Sequence, residues 1–292
     1  MPNHNLLSYS RDVTSQNGED GVIEQIFSVI GAGSKWCVEL GALNGVHDSN
    51  VWHLVKENGW SGVLIEADQT QFERLQREYA SIARVHCLNT FVSFGGADSL
   101  GTVFARTPLP KTFDLFSLDI DGNEYHLWDS LTDYRTRVMV VEFNQTIPNE
   151  VTFIQPRDMA VFQGSSLRAL IELGKRKGYE LVTANEANAF FVLKELFPKF
   201  GITDNTIDAL HTDHQYETKL FQLYDGTLRI AGYDRLLWHK LPIDVEKLQV
   251  LSPRLRRYPA HIDENSTVRT FKYWARKFPL YALVQYIRKL FK

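Results

Sequence analysis

Lys35-Trp-Cys-Val-Glu-Leu-Gly-Ala-Leu-Asn-Gly-Val46 is the stretch that decides how this chain folds. Trp36 to Leu40 reads as a short buried strand. A tight glycine turn and the start of a helix follow. Gly41 and Gly45 mark places where the backbone must turn sharply or approach a ligand closely. Glu39 puts a carboxylate at the mouth of that turn. A second apolar run, Gly62-Val-Leu-Ile-Glu66, also ends in an acid, 21 positions after Gly45. In nucleoside-binding βαβ units the acid after the second strand bonds the ribose hydroxyls, at a spacing of about 20 residues.

Outward from this core the pattern repeats. Val22-Ile23, Ile26-Phe27 and Ile30 recur at helical spacing, and Gly31 and Gly33 stop that helix. Residues 1 to 14 are polar and read as loose. Asp48 or Ser49 suits the cap of a helix through Leu54 and Val55. Thr70 to Tyr79 is a charged helix and Arg84 to Leu88 a third strand. Phe113 to Leu118 is a fourth strand, followed by a helix over His126 to Leu131, and Arg137 to Phe143 is a fifth. Ser165 to Lys177 is a helix ended by Gly178. Tyr179 to Thr183 and Ala189 to Leu193 are two strands joined by an Asn/Glu-rich turn. Alternating strands and helices predict an α/β fold with a mostly parallel sheet. The last two strands are joined too tightly for a parallel crossover, so the final strand must run antiparallel.

Open α/β sheets bind ligands outside the carboxyl ends of their strands. Glu39, Glu66, Asp119, Asp121, Glu142 and Asn144 all fall at such ends. Asp119 and Asp121, with Glu142 and Asn144 from the next strand, could surround a hard cation such as Mg²⁺ or Mn²⁺. Asp121 could then take a proton from a hydroxyl. The plainer reading is that one of the two aspartates bonds loop backbone. His47 is either a surface residue or a catalytic one facing the site. Gln16 and Glu19 supply helix-start chemistry or a flap over a cofactor. His211-Thr-Asp-His214 resembles a metal pair but reads better as a polar surface loop.

Ser15-Gln-x-Gly-Glu-Asp20, Val-Glu39-x-Gly-Ala-x-x-Gly45, Gly-Trp-Ser-Gly-Val-Leu-Ile-Glu66, Asp-x-Asp121-Gly-Asn-Glu, Val-Val-Glu142-Phe-Asn144, Gln163-Gly-Ser-Ser and Gly-Tyr-Glu-Leu-Val182 occur in that order. Together they resemble the FkbM-like family of S-adenosylmethionine-dependent O-methyltransferases, over about residues 15 to 195. The resemblance implies a class I methyltransferase (Rossmann-like) sheet of seven strands. It implies that Glu39 and the turn Gly41-Ala42 to Gly45 hold the methionine end of the cofactor. Glu66 would hold the ribose, and Asp119 and Asp121 would line the transfer site. Leu43 departs from the family, which often has Asn there. The metal reading gains from a likeness to sugar O-methyltransferases with an Asp-x-Asp pair.

The function expected is O-methylation of a sugar hydroxyl in surface polysaccharide or glycolipid assembly. The acceptor would be a saccharide, a nucleotide-sugar or a glycolipid. A nicotinamide-dependent oxidoreductase is the rival enzyme, although Gly-x-Gly-x-x-Gly is missing. A glycan-binding scaffold on the same fold is the non-catalytic rival. Across 292 residues the net charge is −3, which argues against nucleic acid as the main partner. Cys37 and Cys87 read as free thiols of a reducing cytoplasm. No signal peptide or membrane span is expected.

The sequence divides into a cofactor-binding domain over 1–200 and an extension over 201–292. Phe221 to Ile230 is a hairpin turning at Asp225-Gly226. Residues 268–292 interleave Lys and Arg with aromatic residues and contain no acid. That tail suits packing on its own domain, a homo-oligomer contact, or peripheral attachment at the inner face of a membrane.

Overall fold

The computed structural model describes residues 5–258, so the basic tail 268–292 lies outside the described residues. Helices and strands alternate as α1 (Glu19–Ile30), β1 (Trp36–Leu40), α2 (Trp52–Lys56), β2 (Ser61–Glu66), α3 (Gln69–Tyr79), β3 (Val85–Asn89), α4 (Leu100–Phe104), β4 (Thr112–Leu118), α5 (Glu124–Ser130), β5 (Arg135–Glu142), α6 (Leu167–Arg176), β6 (Tyr179–Ala184), β7 (Asn188–Leu193) and α7 (Ile207–Leu210). The seven strands form one sheet in the order β3-β2-β1-β4-β5-β7-β6. β7 pairs antiparallel with both β5 and β6, and the other pairings are parallel. This is the class I methyltransferase, Rossmann-like arrangement.

Register explains how the strand ends align. Leu40 lies beside Ile65 and Leu118, and Leu118 beside Val141. The next residue on each strand is therefore Gly41, Glu66, Asp119 and Glu142, one rank across four parallel strands. Alternate residues face opposite sides of the sheet. Val38, Leu40, Val63, Ile65, Phe116 and Leu118 pack on the side covered by α4, α5 and α6. Cys37, Leu64, Leu115 and Val140 pack on the side covered by α1, α2 and α3.

Local chemistry sets the element ends. The residue preceding α2 is Val51, which offers no side-chain cap, so neither Asp48 nor Ser49 takes the cap position expected; Ser49 Oγ, two residues earlier, accepts from the Val51 and Trp52 amides. Asp68 and Ser166 cap α3 and α6 by the same chemistry. α4 has no forecast in the sequence. It is five residues long and includes Gly101 and Thr102, both weak helix formers. Burial of Leu100, Val103 and Phe104 holds it. Gly41 and Gly45 serve the scaffold more than a ligand. A Cβ on Gly41, at φ +87°, would collide with the Asp119 carbonyl oxygen. One on Gly45, at φ +78°, would strike Leu75 and Tyr79 of α3.

The N-terminal segment is ordered where looseness was expected. Leu6–Tyr9 is a 3₁₀ turn with Leu6 buried. Asp20 Oδ2 accepts the amides of Val13, Thr14 and Ser15, and Oδ1 lies 2.6 Å from His53 Nδ1 on α2. Burial alone would raise the Asp20 pKa. The hydrogen bonds from His53 and the three amides outweigh it and hold the carboxyl far below the ordinary range. Near the start of the central strand β4, fully buried Asp114 accepts from the Gly33 and Lys35 amides and pairs with Arg137.

The described chain divides into two compact units. The first is residues 5–219 with 237–239, and the second is 220–236 with 240–258. The second contains most of the expected hairpin, β8 (Thr218–Gln222) with β9 (Leu228–Gly232), turning at Asp225-Gly226. His211-Thr-Asp-His214 is a loop with Thr212 and His214 exposed, as the polar surface reading expects, but its first residue departs from that reading. His211 is buried, its Nδ1 lies 2.8 Å from Asn149 Oδ1, and its ring packs edge-on to Phe143. Burial and the neighbouring His214 lower its pKa.

Replacing Asp20 by Ala removes the buried carboxylate beside His53 and the acceptor of three amides. It should cost about 3 kcal/mol of unfolding free energy, read from the urea midpoint at neutral pH. A depressed acid contributes fully above its unfolded pKa of about 4 and loses that contribution as pH falls. The gap between wild type and D20A should therefore narrow in acid. A midpoint unmoved at pH 7 contradicts this role.

Candidate active site

At the switch between β1 and β4 the strand ends open into a cavity of about 440 Å³, the size of a small-ligand site. Its walls come from the ends of β1, β2, β4 and β5 and from the segment after β3. Glu39, Asp48, Glu66, Asp119, Asp121 and Glu142 line it, and no Lys, Arg or His does among the described residues. Asn50, Ser117 and Gln16 add neutral polar groups, and Phe91, Met159 and Phe162 add apolar ones.

Each carboxylate is held differently. Glu39 is buried. Its Oε2 accepts from Ser49 Oγ at 2.8 Å and its Oε1 from the Asn50 amide at 2.7 Å. Asn50 in turn donates to Ser117 Oγ, which ties the start of α2 to β4. Burial pushes the Glu39 pKa up to about 8 despite those two donors. Glu66 accepts the Leu43 amide at 2.8 Å and the Asp68 amide at 2.7 Å, so backbone fixes its carboxylate while lone pairs remain for a ligand. Asp119 faces Glu142. Burial raises Asp119 to about 6 although a hydrogen bond with Glu142 works the other way, and burial with the Asp119 charge lifts Glu142 well above its ordinary value.

Asp121 is exposed at the rim in a left-handed conformation, φ +59°. The loop-binding role considered for Asp119 or Asp121 belongs instead to Glu124. Its buried Oε1 accepts the Ile120 and Gly122 amides at 3.1 and 2.7 Å. Burial raises Glu124 to about 7. Among the described residues six non-glycine positions have positive φ, and four of them, Leu43, Asp48, Asp121 and Asn123, line this cavity. Concentrated strain of this kind marks sites that must hold a fixed shape.

The structure thus brings together Gln16, Glu39, Gly41, Glu66, Asp119, Asp121 and Glu142. Five other candidates stand outside the lining. Ala42 is buried in the core beneath the turn, and Gly45 packs on α3. Glu19 accepts from the side chains of Asn185 and Asn188 and from the Asn17 amide, so it clamps the start of α1 to the β6–β7 turn. His47 is largely exposed, with Nε2 3.3 Å from Asp48 Oδ2. Asn144 corrects the expected metal quartet. Its Nδ2 donates to the Gln163 carbonyl and its Oδ1 accepts from Thr146, so its amide is spent on its own loop. No group of three or more His, Cys, Asp or Glu among the described residues is disposed as metal ligands.

The loop from 144 to 166 carries site residues that strand-end logic could not locate. Gln155 is buried and accepts the Gln163 and Gly164 amides, while Asn123 donates to the Asp158 and Val161 carbonyls. These bonds hold Met159 and Phe162 at the cavity. Phe162 is 66% exposed and Phe91, from the segment after β3, 58%. In the sequence only Gln163-Gly-Ser-Ser, one of the stretches that carry the family resemblance, fell wholly in this loop.

A raised acid opposes folding as pH climbs, because the folded chain keeps a proton that the unfolded chain releases. Glu39 should therefore reduce stability between its unfolded pKa, about 4.3, and about 8. Glu39→Gln removes that dependence. We expect its melting temperature at pH 8 to exceed wild type by about 3 °C and to vary less between pH 5 and pH 8. Identical slopes for the two proteins would exclude the raised acid.

No protein-family model matches the sequence, and no curated protein matches it either. Solved structures resemble parts of it. The N-terminal domain of EvdMO1 with SAH bound aligns over 62% of this chain and 82% of its own, at 14% identity and a TM-score of 0.40. Magnesium protoporphyrin IX methyltransferase (ChlM) from Synechocystis, with bound SAM, aligns over 60% and 77%, at 9% identity and 0.38. The O-methyltransferase NcsB1 from neocarzinostatin biosynthesis aligns over 55% and 49%, at 14% identity and 0.35. The strand order and register described above, rather than these similarities, identify the fold: a class I methyltransferase sheet.

Proposed function

We propose that this protein is an S-adenosylmethionine-dependent O-methyltransferase whose acceptor is a sugar hydroxyl, on a polysaccharide or glycolipid. One observation carries the reading: a rank of strand-end carboxylates lines a single cavity at the switch point, without a cationic side chain among the lining residues. That charge suits a cationic donor and repels a pyrophosphate, which disfavours a nicotinamide dinucleotide. When bound, the cofactor supplies an electrophilic methyl group on a positively charged sulfur.

The chain's own residues then have simple tasks. Glu39, fixed by Ser49 and Asn50, holds the cationic methionine end. Glu66, fixed by the Leu43 and Asp68 amides, accepts from the ribose hydroxyls. Asp119 and Glu142 lend negative charge to the middle of the cavity. Asp121 at the rim takes the proton that the acceptor hydroxyl loses, on a carboxylate oxygen. Placement supplies most of the rate, since the reacting groups need only be held in line.

The same cavity supports a neutral acceptor. Hydroxyl groups donate well to carboxylates, and the exposed rings of Phe91 and Phe162 offer stacking surface for a sugar's C–H face. A phosphate placed in this acid-lined cavity, which has no cationic side chain in its lining, would be repelled. A nucleotide-sugar must therefore leave its diphosphate outside the cavity.

Titration calorimetry with S-adenosylhomocysteine should show saturable binding, and none at millimolar ligand would end this reading. Asp121→Asn should lower turnover about a hundredfold or more while changing S-adenosylhomocysteine affinity less than about twofold. Unchanged turnover removes Asp121 as the base. In an acceptor screen, neutral glycosides should outperform their phosphorylated counterparts at least about tenfold in kcat/KM. Equal use of both would refute the charge argument.

A further inference from the structure

The net charge of −3 conceals two opposite parts. By sequence, residues 220–236 and 240–292 contain 14 Lys and Arg against 6 Asp and Glu, of which 7 against 4 fall in the described residues 220–236 and 240–258; the rest of the chain contains 18 against 29. Charge asymmetry on this scale is a physical statement about partners.

The second unit is also unusual in what it leaves outside. Among its described residues no apolar side chain is buried; Thr227 alone is buried. Polar bonds hold it together. The Gln249 side chain pairs with both the amide and the carbonyl of Leu228 and donates to the Val245 carbonyl. Arg256 clasps Glu246 with two bonds, and Asp225 shapes the turn between β8 and β9. A lone two-stranded hairpin is marginal in water. The unit built around this one nevertheless exposes Leu220, Phe221, Leu241 and Leu248, with Tyr224 at 89%, Val250 at 66% and Tyr258 at 67%. Arg229, Arg235, Lys240, Lys247, Arg254 and Arg257 are exposed among them.

We propose that residues 220–236 and 240–258 dock the protein on an anionic lipid surface. Aliphatic and aromatic side chains interspersed with cations are what such an interface accepts: apolar groups enter the headgroup boundary while Lys and Arg stay at the charged surface. Charge complementarity selects the lipid as anionic. A nucleic acid would satisfy the cations but would leave Leu241, Leu248 and Val250 without a partner. Among the described residues no helix is long and apolar enough to cross a membrane, so the attachment proposed is to the surface. It is independent of the reading of the strand-end cavity.

The experiment is co-sedimentation of the full chain with phosphatidylcholine vesicles, with and without phosphatidylglycerol. Binding is expected only with the anionic lipid, and it should weaken as NaCl rises from about 0.1 M to about 0.5 M. Each cation near such a surface contributes about fivefold to partitioning, so the double variant R254E/R257E should bind at least about tenfold more weakly. Tyr224→Ser should bind several-fold more weakly at either salt concentration. Circular dichroism and S-adenosylhomocysteine affinity of these variants should match wild type. Equal sedimentation with neutral vesicles, or undiminished binding by R254E/R257E, overturns the proposal. So does light scattering that shows wild type self-associated and R254E/R257E monomeric, which would assign the surface to a second copy.

Discussion

Buried negative charge without a counter-charge is the constraint that organises this molecule. The parallel strands of the sheet end in step, so Glu66, Asp119 and Glu142, which follow the aligned residues Ile65, Leu118 and Val141, share one rim. Burial lifts Glu39, Asp119, Glu124 and Glu142 above their ordinary pKa values. Asp20 and Asp114 are equally buried, but each has a cationic or imidazole partner and several backbone donors. The paired acids fasten segments of the scaffold together. The acids left short of positive charge are those lining the cavity and the loop beneath it, which is where stability is normally given up for binding.

Backbone strain follows the same division. Leu43, Asp48, Asp121 and Asn123 hold positive φ around one opening. Short polar bonds keep them there: Glu66 holds the Leu43 amide, and Glu124 holds the amides on either side of Asp121. The two glycines of the first turn are required for a related reason. Gly41 must pass within touching distance of the Asp119 carbonyl, and Gly45 must leave room for α3. The turn that looks like a ligand contact in the sequence is first a crossing point between β1 and β4.

Much of this was legible in the residues. Apolar runs ending in acids predicted the strands, and the tight Asn/Glu-rich turn predicted the antiparallel partner, because a parallel return has no room for so short a connection. The segments that went unread share a physical property: their structure depends on distant partners. α4 is too short and too rich in weak formers to announce itself, and only burial sustains it. The segment around Val13 to Ser15 looks loose until Asp20 and His53 are seen to hold it. His211 looks like surface until Phe143 and Asn149 close around it.

Sequence alone therefore determined the class of fold, the direction of the last strand and the acidic character of the rim. Those properties follow from periodicity, connection length and residue type, all of which are local along the chain. Only the tertiary structure decided which candidates meet. Asn144 is a strand-end residue, yet its amide turns to Gln163; His47 follows the glycine turn, yet its side chain is largely exposed to solvent. Met159 and Phe162 reach the cavity from a loop ordered by Gln155 and Asn123. Side-chain direction and long-range hydrogen bonding fix these outcomes, and neither is encoded in the spacing of residues along one strand.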